Sequence, residues 1–306
     1  MASSHGLEQF IAFTTDSVGL ERILRFCQAT VMILLSYTPA LHVLCRIFYA
    51  RNGKKRSSVM VKGILLGVNQ HMSQARRYFR IFRFLPAFFA ARKLLTKISN
   101  SQSQGQLNVA SLQRVKEWIE VFGLNFNGLW FLLDATLVVD ALEMNGLQLW
   151  GPELQQGVHI EAQRFWFFGL LCGVLAGLIE IYNLVRSTYT LKEGISRGSD
   201  GVTTEAPQSV PEGIVKHKQE NMSIRGAGAI PGPGVIGSDV QTRLRGLART
   251  TIANAVDMIL PGAIVGWVRI HPGLIGFAML TTTILTSIDV WQRCGREVLA
   301  RSKQAA

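Results

Sequence analysis

From Phe165 to Val185 the chain runs 21 residues with a single charge, Glu180, and Arg164 and Arg186 bracket the run. A helix of that length rises roughly 30 Å, the thickness of a bilayer's hydrocarbon core. A segment that crosses lipid must satisfy its own backbone polar groups, so this run commits the fold to helix. Phe165 and Trp166 near one end and Tyr182 near the other suit the aromatic belts of a membrane interface. Gly169, Gly173 and Gly177 recur every four residues, share one face and let another helix approach closely. The competing reading is a buried helix of a soluble protein.

A second apolar zone extends from Ile252 to Trp291, interrupted by Pro261 and by His271-Pro272. Ile270–Ile288 supplies 19 residues between Arg269 and Asp289, so a second span is expected within 270–291 and a short tail over 292–306. Met258–Val268 supplies only 11 residues, too few to cross, so 252–268 is expected to be interfacial or re-entrant. Residues 187–240 turn abruptly to Gly, Ser, Pro and Thr with mixed charge, which predicts a disordered loop between the spans. Residues 107–160 predict middle helices. Asp134 and Asp140 argue against a crossing there, because a carboxylate at mid-bilayer costs about 2.5–3.5 kcal/mol. A half-buried helix is the expectation, with a span as the alternative.

Charge sharpens the picture. The net charge is +12, yet from Arg22 to Lys116 there is no Asp or Glu and there are 17 Lys and Arg. Such a block suits a polyanion. It is rich in Phe, Leu and Ile, which favours an anionic lipid surface over nucleic acid. Within it, residues 59–98 read as a helix with opposed faces. Tyr78, Phe82, Leu85 and Phe89 fall on one side, flanked by Ile81 and Phe88, while Arg76, Arg80 and Arg83 fall opposite. Pro86 should kink this helix. Upstream, Asp16 or Ser17 caps a helix starting near Val18, which Pro39 ends or kinks before it resumes through Leu41–Tyr49. The region 1–98 is thus basic, amphipathic and helical, and the polar stretch 99–106 reads as a linker.

Chemistry-bearing motifs lack their context. Gly194–Gly198 matches GxSxG, but polar, loop-like flanks replace the strand and helix that a nucleophile elbow needs. Gly232–Gly237 matches GxGxxG without a buried strand before it. Asn221-Met222-Ser223 is a sequon, which matters only on the secretory route. Cys27, Cys45, Cys172 and Cys294 form no CxxC pair and have no His at ligand spacing, so no metal, disulfide framework or cofactor is expected. The first apolar residues, interrupted by Glu8 and Asp16, do not read as a secretory signal, and the final residues do not spell the SKL address. No catalytic constellation emerges, and an enzyme is not expected.

Five segments in order resemble the peroxisomal biogenesis factor 11 (peroxin-11) family. They are Thr15–Phe26 (TDSVGLERILRF), Arg76–Leu85 (RRYFRIFRFL), Trp130–Ala141 (WFLLDATLVVDA), Arg164–Leu171 (RFWFFGLL) and Asp257–Ile275 (DMILPGAIVGWVRIHPGLI). Pro86 and the long insert depart from the family pattern and mark a divergent branch. The resemblance implies a multi-pass peroxisomal membrane protein with cytosolic termini that promotes elongation, proliferation and fission of the organelle. It also implies homo-oligomers and contact with a dynamin-like GTPase and its tail-anchored adaptor.

The fold expected is therefore an all-α membrane protein, with N-terminal amphipathic helices and about two transmembrane helices joined by a disordered loop. The mechanism expected is a wedge. Arg76, Arg77, Arg80 and Arg83 would hold anionic headgroups while Tyr78, Ile81, Phe82, Leu85, Phe88 and Phe89 insert beneath them. The alternatives are packing of that face as an ordinary helical core, a small-solute pore or carrier lined by Glu180, Asp134 or Asp140, and a scaffold that recruits the fission machinery.

Overall fold

The computed structural model describes residues 2–52, 58–103, 111–142, 148–199 and 233–305. It divides into two units, Met1–Ile179 with Ala248–Ala306, and Glu180–Leu247. Among the described residues every regular element is an α-helix. In chain order these are α1 (Ala2–Thr15), α2 (Ser17–Ser36), α3 (Thr38–Asn52), α4 (Ser58–Tyr78), α5 (Phe84–Ser103), α6 (Ser111–Ala141), α7 (Gly151–Ser199), α8 (Pro233–Asp257), α9 (Ile259–Val265) and α10 (Pro272–Ala305).

The N-terminal helices follow local chemistry. Asp16 caps α2 by accepting a hydrogen bond from the Gly19 amide at 3.2 Å, which satisfies one of the free donors of a helix start. Pro39 falls in the first turn of α3, where its missing N–H costs nothing, and α2 and α3 meet at a bend of 106°. The principal packing in the larger unit sets α2 along α10. Gly276 lies under Ile33 and Gly273 under the Tyr37 ring, so close that a Cβ would sit 2.9 and 2.6 Å from those side chains. α1 also lies on α10, where Gln9 donates to the Trp291 carbonyl at 2.9 Å and Phe13 meets the Trp291 ring edge-on. Ala29, Leu260, Ala278 and Met279 form the buried apolar cluster between α2, α9 and α10.

The burial pattern is reversed from that of a water-soluble bundle. α2 buries Glu21, Arg25 and Gln28, while Phe26 on the same helix is 46% exposed. α10 buries Thr282 and Thr283, whose hydroxyls donate back to the Met279 carbonyl, and leaves Leu274, Phe277 and Ile284 outward. Polar inside and apolar outside is what lipid, rather than water, selects.

Among the described residues, three helices are long and apolar enough to cross a membrane: α6, α7 and α10. The bent α2–α3 pair passes the same test as a unit. The sequence predicted about two spans and a half-buried helix where α6 lies. The cost assigned to Asp134 assumed a lone carboxylate, whereas the side chain is ion-paired.

The basic helix expected over 59–98 is broken. Residues 79–83 form turns between α4 and α5, with Arg80, Ile81, Arg83 and Leu85 amides bonding three residues back. Pro86 has no amide to bond the Phe82 carbonyl, so the chain tightens upstream and Pro86 enters the first turn of α5. α5 continues to Ser103.

The expected loop over 187–240 is helical at both edges: α7 reaches Ser199 and α8 begins at Pro233. Residues 200–232, with the sequon, lie outside the described residues. The segment expected to be interfacial or re-entrant holds the end of α8 and the short α9. Gly266, at φ 86°, closes α9 in the left-handed region that favours glycine, and the Trp267 and Val268 amides return to the Gly262 carbonyl at 2.9 and 3.0 Å.

Candidate functional site

The basic residues nominated from sequence converge on two carboxylates. Glu21 from α2 receives Arg83 at 2.9 Å, Arg76 at 3.7 Å and Arg80 at 4.0 Å. Asp134 from α6 receives Arg80 at 3.2 Å and Arg77 at 3.4 Å. Arg76 also donates to the Gln28 side chain at 2.6 Å. Arg80 lies over the Trp130 ring, 5.1 Å from its centre, and Trp130 stacks on Trp166 of α7 at 4.7 Å. A guanidinium and two indoles thus form one column joining the α4–α5 turn to α6 and α7. Beside this cluster, Arg25 pairs with Asp257 and donates to Thr282 at 3.1 Å.

Burial, followed by the like charges of Arg80 and Arg25, pushes the Arg76 guanidinium down to about 9. The imbalance is visible in the pairs themselves. Arg76, Arg77, Arg80 and Arg83 share Glu21 and Asp134, so four cations face two anions.

The aromatic side of the same segment points the other way. Phe82 and Phe89 are 70% and 72% exposed, and Tyr78 and Leu85 are exposed with them. Ile81 is half-buried. Phe88 turns inward onto α6, where its ring lies 2.6 Å from the position of a Cβ on Gly128. Of the six nominated inserting residues, four therefore form an outward apolar face. Phe79, 41% exposed and not nominated, adjoins it.

The α7 glycines each receive a polar side chain. A Cβ on Gly169 would lie 2.7 Å from the Asn127 amide oxygen of α6, and one on Gly173 would lie 2.7 Å from the Asn254 amide nitrogen of α8. Gly177 lies against the Thr251 hydroxyl.

The carboxylates considered for a pore are all engaged. Asp134 holds Arg77 and Arg80, and Asp140 accepts from the Leu149 and Trp150 amides at 2.7 and 3.2 Å. Within the smaller unit, Glu180 pairs with Arg243 at 3.2 Å. Ser196 of the GxSxG match lies inside a helix, so no strand–turn–helix elbow presents it.

Sequence reasoning missed Glu21 as the anchor of the arginine side, and Gln28, Trp130 and Gln163 as its neighbours. A signal existed for the first: Glu21 is the last carboxylate before a block of 17 cations, and it lies in a helix with an apolar outer face. An ionisable residue in such a helix faces the interior and calls for a partner.

The whole arrangement can then be set beside known proteins. The family model described as Peroxisomal biogenesis factor 11 matches residues 7–291. Neither a curated protein nor a solved structure matches the chain.

Proposed function

The chain belongs to the Peroxisomal biogenesis factor 11 family, so it is a peroxisomal membrane protein involved in peroxisome proliferation, and from that premise we propose that it elongates the membrane by wedging an aromatic helix face into one leaflet. The observation that carries this reading is the outward exposure of Tyr78, Phe82, Leu85 and Phe89 around the α4–α5 turn. Each large apolar side chain moved from water into lipid stabilises by about 1.5–3 kcal/mol. Area added to one leaflet by shallow insertion bends a bilayer toward that leaflet.

In the paired arrangement, Arg76, Arg77, Arg80 and Arg83 hold this wedge to α2 and α6. Their role as headgroup ligands belongs to a second state, in which lipid phosphates replace Glu21 and Asp134. Homo-oligomers and recruitment of a dynamin-like GTPase through its adaptor complete the proposal. The pore reading draws no support from Glu180, Asp134 or Asp140, each of which is already bonded.

Full-length protein reconstituted into vesicles of phosphatidylcholine and phosphatidylserine should draw them into tubules, and Phe82→Ser with Phe89→Ser should abolish this. Tubulation that survives both substitutions defeats the wedge. Vesicles that never tubulate with the wild type leave recruitment as the function.

Topology belongs to the same proposal. Three crossings by α6, α7 and α10 would put the two ends on opposite sides of the membrane. Cytosolic termini therefore require the α2–α3 pair to cross as a fourth. A tag inserted within 200–232, with tags at each end, reads the parity by protease protection in intact organelles. Ends protected differently would retire the fourth crossing and the shared cytosolic location together.

A further inference from the structure

The buried arginines border a cavity of ≈ 370 Å3 between α2, α4, α6, α7, α9 and α10. Among the residues that line it, Arg76, Arg80 and Trp130 carry buried donors (Nε, Nε and Nε1) with no hydrogen-bond acceptor among the described residues. Asn69 Oδ1 and Gln163 Oε1 are buried acceptors in the same condition. Arg76, Trp130 and Gln163 are each more than nine-tenths buried. Unfilled polar atoms at such depth cost free energy, and most buried polar atoms are bonded. Part of the lining is apolar, with Met32, Leu260, Ile264 and Met279.

We propose that this cavity is a binding site for a phosphate monoester. Water could fill the hydrogen bonds, but it cannot offset the Arg76, Arg77 and Arg80 guanidinium groups, which line the cavity beside a single carboxylate, Asp134. An anion offsets them, and guanidinium groups are suited to phosphate oxygens. A phosphate monoester of glycerol also carries a free alcohol hydroxyl, so the ligand donates as well as accepts. That matches a lining with both kinds of unfilled atom, and it holds if either amide is turned end for end. The apolar part fits the first carbons of an acyl chain, which points to a lipid headgroup as the source rather than a free phosphate ester. The site shares Arg76, Arg77 and Arg80 with the headgroup state proposed above, but it keeps their pairs with Glu21 and Asp134 and needs no exposed aromatic face, so its failure leaves the wedge standing.

The test uses the full chain purified in a neutral maltoside detergent, with its thermal midpoint followed against added probes. The probes are oleoyl lysophosphatidic acid, sn-glycerol 3-phosphate and, as a neutral control, monooleoylglycerol. A ligand that binds only the folded state raises the midpoint, and raises it further as its concentration climbs past Kd. A rise with the lysolipid alone assigns the headgroup source. An equal rise with glycerol 3-phosphate supports the site and assigns the soluble ester. No rise with either, or an equal rise with monooleoylglycerol, overturns the proposal and leaves a water-filled cavity.

Location is read from charge-neutral changes in the cavity, set against the loss of two charges on the surface. Asn69→Leu with Gln163→Leu should weaken binding roughly tenfold or more, and Trp130→Phe, which removes the indole donor and narrows the ring under Arg80, should weaken it less. Arg92→Gln with Lys93→Gln, both on exposed surface, should change nothing. Loss with the surface pair and not with the cavity variants would overturn the assignment. If the double leucine variant does not fold, Trp130→Phe decides.

Discussion

Two one-sided helical regions, the arginine side of α4–α5 and the glycine side of α7, met different fates in the fold. Both are regular in sequence and both face inward. The glycines were expected to admit a close neighbour, because a missing Cβ makes room whatever the solvent, and Asn127, Asn254 and Thr251 lie against them. The arginines were assigned to a headgroup surface because cations on a helix usually face water or lipid phosphate. Instead they face Glu21 and Asp134. Spacing tells which residues share a side of a helix; it does not tell which side is the inside. That depends on the solvent, and in lipid the apolar side is the outside.

The sharpest way to break this contrast is to remove one carboxylate from the arginine side. Asp134 is 5% exposed and holds both Arg77 and Arg80. Asp134→Ala leaves those cations buried with less compensation, and should cost about 3–5 kcal/mol. Thermal or denaturant unfolding of the purified chain in detergent measures the loss. Glu161→Ala is the matched control, since its pair with Arg164 is about half exposed on both sides and should contribute under about 1 kcal/mol. Equal losses from the two would mean that the buried cluster does not brace the fold.

A smaller effect sharpens the other half. Gly173→Leu pushes against the Asn254 side chain, whose amide end can swing aside, so overpacking should cost about 1–3 kcal/mol. Gly157 lies on the same helix with nothing near a would-be Cβ. Gly157→Ala should raise stability by about 0.5–1 kcal/mol, since only backbone freedom is lost. Opposite signs at two glycines of one helix would locate the packed side. A matching sign would show that α7 is not held there by close approach.

The same contrast explains what could be read in advance. The candidate span in α7, the cap at Asp16, the break at Pro39 and the opposition of Arg76, Arg80 and Arg83 to Phe82 and Phe89 are local: periodicity, side-chain chemistry and run length decide them. The third candidate span was hidden because Asp134 was weighed alone, while its counterions lie 54 and 57 residues earlier. Pro86 was seen as a kink within one helix, but the chain satisfied it by turning at 79–83 instead. The inward turn of Phe88 depended on Gly128, which no pattern in 59–98 can reveal. Nor could the cavity be foreseen, since its polar atoms come from five separate helices or turns.

The smallest expected change in stability is also the most telling for function. Phe82 and Phe89 are largely exposed, so Phe82→Ser with Phe89→Ser removes little internal packing and should shift unfolding in detergent by no more than about 0.5 kcal/mol. In a bilayer the same pair forfeits the transfer of two large rings. Membrane bending should therefore disappear from a protein that remains folded, the reverse of Asp134→Ala, which should weaken the fold and take bending with it. That separation is what the opposed sides of α4–α5 require: the arginines hold the helix in place, and the rings act on the lipid. A Phe82/Phe89 variant that unfolds as readily as the Asp134 variant would mean that the rings are structural, packed against a second copy or another part of the chain. The wedge would then have no free face with which to act.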